Sequence, residues 1–451
     1  MATLVPFTCW RPPKELAEQV AAAPYDTLSR AEAVKEISQR PLSFLRIDRP
    51  AALFDAEIEE YDAQVYTRAC AELDAWYEQG VMAPDRPSSE PAFFIYRLSQ
   101  GKHQQTGLLA CACVADYQSG TIKRHENTRA KKEMDRIEHI KALEAHTGPV
   151  LLTYPSVHAL DALLLELTQI TAPGSAHKAV TGSTSEKALG SAHEEAPAST
   201  PLYDFIAPDG VRHEIWRIDS REATQQIQSY FEDIPSLYIA DGHHRAAAAA
   251  SVAEWYAEGQ LEGRDDAQHE AQQEAQQFLV AVFGSNELRV LDYNRVISDL
   301  AGLTPQVLLS AIEEVMDVEA QVSQPYRPLK RGELSMYLDG LWYKLTMRED
   351  LRPVDVVDGL DVALLHSLVL APILKVEDPR SDPRITYIGG ARGLTELVRR
   401  VDESGGVAFA LYPCSLEELF AVANEDRLMP PKSTWFEPKP KSGLVIHRIR
   451  F

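Results

Sequence analysis

The chain has 451 residues, and a hydrophobic content of 45% is enough to build a sizeable core. Because single cores stop growing at roughly 250–300 residues, this length predicts two domains or one large composite. The formal net charge is −22 at pH 7, which argues against a nucleic-acid partner, since duplex binding depends on Lys and Arg at phosphates. No apolar run of about 18 residues occurs, so we expect no membrane association.

The cysteines and the first residues point to one compartment. The five cysteines are scattered and form no CxxC pair, which favours a reducing environment over a disulfide framework. The start of the chain lacks a basic stretch followed by an apolar one, so we expect no secretion signal. Together these features predict a cytoplasmic protein.

The first part of the chain predicts helices interspersed with a hairpin. Helices are expected over 30–39 with Ser29 as the cap, over 58–79, after the KRHENTR stretch and over 159–170. SFLRI and VLLTY predict strands, and AFFIYRLSQ with QTGLLACACVA predicts a hairpin. Residues 172–200 are rich in Ala, Ser, Gly and Thr and cannot bury enough apolar surface to offset ordering, so they predict a flexible surface insertion.

The second part continues this mixture. FIAPDGVRHEIWRI and FLVAVFGSNELRVLDYNRVI predict hairpins, and SLYIADGHHRAAAAA predicts a strand, a tight turn and a long helix. Thr304 begins a helix over 304–318, ELSMYLDGLWYKLTM predicts a hairpin with Asp-Gly at its tip, and strands and helices then alternate to the end. Hairpins with interspersed helices and no long βαβ series predict an α+β (mixed α/β) fold.

The first stretch suited to chemistry is ADGHHR, where a strand ends in a glycine turn and a helix starts at once. Unpaired N–H groups and the positive end of the helix dipole form an anion seat there, and Gly242 lets the backbone approach a ligand. His243, His244 and Arg245 add donors for phosphate oxygens. Asp241 could cap the helix, take a proton or hold a metal ion. The alternative is a helix cap with a surface ion cluster; a zinc site is disfavoured because adjacent histidines diverge.

The second stretch is KRHENTR, at the start of a predicted helix. Six basic and three acidic residues lie between 121 and 136, which makes a positive island in an acidic chain. Lys123, His125 and Arg129 could contact an anion at this helix start. Glu126 could help to hold Mg²⁺, which binds phosphates together with one or two carboxylates. The alternative is a solvated, charged helix face.

The third stretch is MPPKSTWFEPK, near the end of the chain. Five basic residues and one acidic residue lie between 427 and 448. Proline pairs stiffen the loop and lower the entropy cost of presenting Lys432, Ser433 and Thr434. The alternative is a structural clamp with incidental lysines. The sequence contains no GxxxxGK(S/T), kinase-type HRD or DFG, GxSxG or HExxH motif, so phosphate transfer would not use a Walker loop.

Separated motifs in a fixed order carry a family resemblance. APYD with FLRIDRP, KRHENTRAKKEMDR, YIADGHHRAAA and MPPKSTWFEPK resemble a widespread bacterial family long known only as a domain of unknown function. The DGHHR turn is also similar to the phosphate-binding turn of the ParB/sulfiredoxin-like fold, which includes kinases of free L-serine. The resemblance covers nearly the whole chain outside 172–200 and part of 259–277. It implies a ParB/sulfiredoxin-like phosphate-binding core with additional hairpin-rich and helical layers.

The resemblance also implies a set of site residues and a Mg²⁺ cofactor. In the similar kinases, the Asp of the turn activates the serine hydroxyl, and the His and Arg residues hold phosphates. The catalytic candidates are Asp241, Glu126 and His244. The donor-binding candidates are Gly242, His243, Arg245, Lys123, His125, Arg129 and Lys432. The substrate-binding candidates are Ser433 and Thr434, and the candidate Mg²⁺ contacts are Asp241 and Glu126.

The expected function is therefore a small-molecule kinase. It would make O-phospho-L-serine from L-serine with inorganic pyrophosphate as donor, or with a nucleotide instead. A phosphoserine phosphatase-type hydrolase and a ParB-like nucleotide-switched binding protein stay open as alternatives. The expected division is an N-terminal α/β part (1–171), the insertion (172–200), a ParB-like core (201–300) and a C-terminal α/β part (301–451).

Overall fold

The computed structural model describes residues 2–86, 90–168, 200–259, 265–321 and 324–450. The predicted insertion lies outside these residues except for its last position. Within them the α-helices are α1 (Ala17–Val20), α2 (Arg30–Gln39), α3 (Leu45–Asp48), α4 (Ala63–Glu78), α5 (Val114–Gln118), α6 (Ala130–Leu143), α7 (His158–Thr168), α8 (Arg221–Glu232), α9 (His243–Ala257), α10 (Asp265–Ala275), α11 (Pro305–Glu313), α12 (Asp361–Leu365), α13 (Leu394–Ser404) and α14 (Leu416–Asn424). None of these helices is both long enough and apolar enough to cross a bilayer.

The strands in the same ranges are mostly short. They are β1 (Leu4–Val5), β2 (Cys9–Arg11), β3 (Ala83–Pro84), β4 (Phe93–Gln100), β5 (His103–Cys113), β6 (Ile122–Lys123), β7 (Ala145–His146), β8 (Val150–Tyr154), β9 (Tyr203–Ile206), β10 (Arg212–Ile218), β11 (Leu237–Asp241), β12 (Gln277–Gly284), β13 (Val290–Leu291), β14 (Tyr293–Ile297), β15 (Met316–Gln321), β16 (Glu333–Leu338), β17 (Leu341–Met347), β18 (Ile385–Gly389), β19 (Val407–Leu411), β20 (Trp435–Phe436) and β21 (Ile446–Arg448).

Two large sheets organise these strands. The nine-stranded sheet has the order β6-β11-β8-β12-β5-β4-β10-β9, with β1 on β5. It is mixed, because β11 is parallel to β6 but antiparallel to β8, while β8 and β12 are parallel. The six-stranded sheet has the order β15-β17-β16-β19-β14-β18, and the small sheet β3-β2-β21-β7 joins the two ends of the chain. The predicted mixed α/β class is confirmed.

The sheets cross the expected divisions of the chain. β4, β5 and β8 come before residues 169–199 and β10, β11 and β12 after them, yet all six belong to the nine-stranded sheet. β14 pairs with β18 and β19 from the C-terminal part. The four-part division stays a prediction, and in the structure its first and third parts share one sheet.

Local signals predicted many elements, but three predictions were wrong. Ser29 caps α2 in a capping box with Glu32, and the hairpins β4–β5, β9–β10 and β16–β17 are confirmed. The last three residues of SFLRI lie in α3 and no strand forms there, because a short apolar run has no period that separates helix from strand. The helix predicted over 304–318 ends at Glu313 as α11, and β15 begins at Met316. β12 and β14 belong to different sheets, so they form no hairpin.

The alanine-rich helix α9 is buried on two sides. Ala246 and Ala249 pack in the same cluster as Ile239 of the nine-stranded sheet. Ala248 packs with Ile140 of α6 in another cluster. Because alanine side chains are small, α9 fits closely between the sheet and α6, and its first turn is held at the end of β11.

A buried ion cluster joins distant parts of the chain. Asp48, at the end of α3, has no exposed surface, and its Oδ2 accepts a hydrogen bond from Arg245 Nη2 at 3.1 Å. Arg136 Nη1 lies 3.9 Å from Asp48 Oδ1. Thr147 Oγ1 donates to Asp48 Oδ1 at 2.8 Å, and Arg245 Nη2 also donates to Ser442 Oγ at 3.1 Å. The N-terminal region, α6, α9 and the C-terminal segment therefore meet at one carboxylate.

Replacing Asp48 with Ala should strongly destabilise the protein. Burial would raise the pKa of this carboxyl, but Arg245 and other neighbouring groups hold the pKa below its ordinary value, so the carboxylate is ionised at neutral pH. Removing one partner leaves a buried charge uncompensated, and we expect urea unfolding to show a loss of about 3–5 kcal/mol. The exposed Asp55→Ala is the control, with a change within about 0.5 kcal/mol. Similar unfolding midpoints for both variants would contradict this role.

Candidate active site

The ADGHHR motif forms the turn between β11 and α9. β11 ends at Asp241, Gly242 has a φ of 94°, and α9 begins at His243. Glycine adopts this left-handed conformation without the steric strain of a side chain. The Gly242 N–H donates to Asp241 Oδ1 at 2.9 Å. The predicted strand, glycine turn and helix are therefore confirmed.

Asp241 pairs with a lysine of the C-terminal motif. Lys439 Nζ donates to Asp241 Oδ2 and lies 5.0 Å from the centroid of the Trp435 ring. Burial would raise the pKa of Asp241, but Lys439, with Lys432 and His243, holds that pKa well below its ordinary value. The carboxylate is therefore ionised at neutral pH and can accept a hydrogen bond from a substrate hydroxyl.

The two histidines of the turn bind the KRHENTR loop. The backbone N–H of His125 donates to His243 Nε2 at 3.5 Å, and the two rings pack edge to face with centroids 4.6 Å apart. The Arg129 N–H donates to His244 Nε2 at 3.0 Å. Burial lowers the pKa of both His125 and His243 to about 3, and it lowers the pKa of His244 as well. His125 is buried and lines neither cleft, so we withdraw its predicted phosphate contact. His243 and His244 line the narrow cleft and hold this loop through Nε2, and the phosphate contact of His243 and the catalytic role of His244 stay predictions.

The loop and the turn line a narrow cleft of about 70 Å³. Its cationic lining residues are Arg129, Lys132, Arg245, Lys432 and Lys439. Burial lowers the pKa of Lys132, and the nearby Lys432 and Arg129 lower it further, although Asp26 opposes them. A bound polyanion would relieve this repulsion between like charges.

A wider cleft of about 580 Å³ adjoins the narrow one. Both are lined by Asp26, Glu126, Asp241, Lys432 and Lys439. The wide cleft adds the rings of Tyr293, Tyr387 and Trp435. Lys432 Nζ lies 5.6 Å from the Tyr293 ring centroid, so this lysine stands where the ionic and aromatic surfaces meet.

The clefts bring together part of the predicted site. Glu126, Arg129 and Lys432 line the narrow cleft with the residues of the turn. Thr434 lines the wide cleft, and its Oγ1 lies 3.3 Å from His125 Nε2. Three separated motifs therefore converge on one place.

Three other predicted residues are engaged elsewhere. Arg245 lines the narrow cleft, but its guanidinium is bonded to Asp48, to Ser442 and to the Pro149 carbonyl, so we assign it to the scaffold instead of the donor. Ser433 is buried, and its hydroxyl donates to the Pro430 carbonyl at 2.7 Å, so it is not offered to a substrate. Lys123 lines neither cleft, and its Nζ lies 3.8 Å from a carboxylate oxygen of Asp426.

Some cleft residues were absent from the predicted set. Asp26 comes from APYD, Lys132 from NTRAKK and Lys439 from FEPK, and all three line the narrow cleft. Each lies in or beside a motif that carried the family resemblance. Spacing along the chain could not show which of several neighbouring charges faces inward.

The site does not contain a complete protein cage for a metal. Among the described residues, no group of three or more His, Cys, Asp or Glu side chains is arranged to hold an ion. Mg²⁺ commonly uses only one or two carboxylates plus substrate phosphates, so the donor set suits Mg²⁺ that arrives with a polyphosphate. Both Asp241 oxygens already accept hydrogen bonds, whereas in the described residues no hydrogen bond or ion pair engages the carboxylates of Glu126 and Asp26. These two are the better candidate contacts.

A family described as a protein of unknown function (DUF1015) matches residues 4–184 and 178–363. The chain belongs to this family. No curated protein matches the sequence.

Similar solved structures include SbnI with a C-terminal truncation from Staphylococcus aureus, at 10% identity and a TM-score of 0.35, covering 74% of this chain and 85% of that one. A free serine kinase in complex with AMP has 12% identity, a TM-score of 0.31, and coverage of 74% and 91%. A conserved hypothetical protein from Pyrococcus furiosus has 12% identity, a TM-score of 0.32, and coverage of 75% and 94%. At these scores the similarities support no inference about the activity of this chain.

The neutral histidines predict sensitivity to acid. An unfolded histidine takes up a proton near pH 6.5, whereas folded His125 and His243 do so only near pH 3. The unfolded state therefore binds more protons between these values, and stability falls as the pH falls. In His243→Gln, the free energy of unfolding should fall less between about pH 7 and about pH 4 than it does in the wild-type protein, because Gln cannot titrate. The exposed His158→Gln is the matched control, and equal slopes for the two variants would refute the assignment.

Proposed function

We propose that this protein is a small-molecule kinase that transfers a phosphoryl group from inorganic pyrophosphate to the hydroxyl of free L-serine. One observation carries the proposal: an ionised carboxylate, Asp241, shares a narrow cleft with a cluster of cationic side chains. Phosphoryl transfer requires a positioned hydroxyl and the neutralisation of charge on the transferred group. The resemblance of the DGHHR turn to that of free-serine kinases supports serine as the acceptor.

The residues divide between donor and acceptor. Arg129, Lys132 and Lys432 would bind the phosphate oxygens of the donor, beside the N–H groups of the first turn of α9. Asp241 would accept the hydrogen bond of the serine hydroxyl. The hydroxyl oxygen forms a bond to phosphorus as the bridging P–O bond breaks. The leaving phosphate takes that electron pair and the proton.

Mg²⁺ would accompany the pyrophosphate. Glu126 and Asp26 line both clefts and would hold the ion together with donor oxygens. The ion would neutralise part of the donor charge, while the lysines neutralise the rest.

A nucleotide is the second candidate donor. The wide cleft presents the rings of Tyr293, Tyr387 and Trp435, and aromatic faces can stack on a nucleobase. Its volume of about 580 Å³ is within the size range of small-molecule sites.

The decisive assay incubates purified protein with L-serine, Mg²⁺ and either pyrophosphate, ADP or ATP, and measures O-phospho-L-serine by phosphorus NMR. Phosphoserine formed from pyrophosphate is the expected result. Phosphate release from phosphoserine, with no synthesis from any donor, would indicate the hydrolase. Nucleotide binding with neither reaction would indicate the ParB-like switch.

Asp241→Asn should abolish most turnover. The amide keeps the shape of the side chain but loses the charge that orients the hydroxyl, and we expect phosphoserine formation to fall by about 10²–10⁴-fold. The control is Asp426→Asn, whose side chain is 87% exposed and lies outside both clefts. Equal rates in the two variants would remove Asp241 from the mechanism.

Lys432→Met should weaken pyrophosphate binding. Loss of a charge-assisted hydrogen bond predicts a dissociation constant about 10–100-fold higher, measured by isothermal titration calorimetry. The exposed Lys102→Met, in the turn between β4 and β5, is the matched control and should bind as the wild type does. An unchanged affinity in Lys432→Met would make this segment a structural clamp.

A further inference from the structure

A second cavity adjoins the segment that carries Lys432. It has a volume of about 470 Å³, and its mostly apolar lining includes Val357, Val362, Leu370 and Ile385. Pro430 and Pro431 also line it, whereas the next residue lines the two clefts. This volume is within the range of small-molecule sites, and no step of the proposed reaction uses the cavity.

One wall of this cavity carries the buried charge of Arg295. Arg295 is 3% exposed and donates to the carbonyl oxygens of Tyr293, Pro431 and Lys432. Its guanidinium also lies over the Tyr387 ring, 5.5 Å from the centroid. Within the described residues no carboxylate lies within ion-pair distance of this guanidinium. Three of its five N–H groups are used, so two donors remain for a ligand.

An uncompensated cation in an apolar wall is costly. Carbonyl oxygens offset part of the lost hydration, but they do not neutralise the charge. A carboxylate is the group that matches the donors of a guanidinium, because its two oxygens can accept two parallel hydrogen bonds. The aliphatic lining would in turn accept the apolar part of the same molecule.

Other features of the lining agree with a ligand site. His366, Ser367 and Leu370 come from a π-helical turn after α12, and such irregular turns occur frequently at functional sites. The acidic lining residues Asp358 and Asp378 are both exposed, so water screens them from a ligand at Arg295.

We propose that this cavity binds a small organic carboxylate with an apolar body, whose carboxylate pairs with Arg295. Because Arg295 also holds the carbonyl groups of Pro431 and Lys432, the ligand would contact the residue that fixes the Lys432 segment. The site is separate from the phosphate-binding residues, so its binding can be measured without turnover.

The test uses hexanoate and 4-phenylbutanoate as probes, with hexanamide and 4-phenylbutanamide as uncharged controls. Isothermal titration calorimetry on the full chain should give dissociation constants of about 1 mM or tighter for at least one carboxylate. The matching amide should bind at least about tenfold more weakly. Absence of binding by both carboxylates, or equal binding by the amides, would overturn the proposal.

Two variants locate the bound probe. Ser367 lines the cavity, so Ser367→Phe adds a ring to its wall while keeping Arg295, and it should weaken carboxylate binding by about tenfold or more. Ser229→Phe is the matched control, because both serines are exposed and both hydroxyls donate to the carbonyl three residues earlier. Arg295→Met should remove the preference for the carboxylate over the amide. If Arg295→Met fails to fold, the carboxylate affinity of Ser367→Phe tests the proposal alone. A wild-type affinity in Ser367→Phe would overturn the proposal.

Discussion

The buried pair of Asp48 and Arg245 is the contact on which the arrangement of the cleft depends. Two charges without solvent are stable only when each compensates the other, so the segments that carry them must stay together. The same guanidinium lies 5.4 Å from the Tyr25 ring centroid, and the guanidinium of Arg136 lies 4.0 Å from it. Tyr25 is therefore held by both arginines, and the next residue, Asp26, lines the cleft. Arg245, although part of the ADGHHR motif that resembles a phosphate-binding turn, thus acts mainly by holding the N-terminal segment in place.

Within the sequence motifs, some residues hold the loops in place and others supply charge to the cleft. Buried His243 and half-buried His244 accept backbone hydrogen bonds and fix the loop that carries Glu126 and Arg129. Lys132, Lys432 and Lys439, from two other motifs, line the same cleft. This arrangement produces a local cationic surface in a chain with a net charge of −22, because the position of a few side chains decides the local potential.

The C-terminal segment connects this cleft to the six-stranded sheet. Arg295 on β14 donates hydrogen bonds to the Pro431 and Lys432 carbonyl groups of this segment. Tyr387 on β18 lines both the wide cleft and the apolar cavity. The six-stranded sheet therefore supports the segment that carries Lys432, and it also lines the apolar cavity beside Arg295.

The sequence by itself determined the local features of this protein. Ser29 and its capping box, the Asp-Gly hairpin tip and the strand that ends just before Gly242 were predictable because a few adjacent residues decide them. Asp241, Glu126, Arg129 and Lys432 were predictable as site candidates because their chemistry suits an anion. Only the tertiary structure decided that Arg245 faces Asp48, that the histidines hold a loop and that Lys439 pairs with Asp241. Those choices depend on burial and on partners about 100 to 200 positions away in the chain, which no local pattern records.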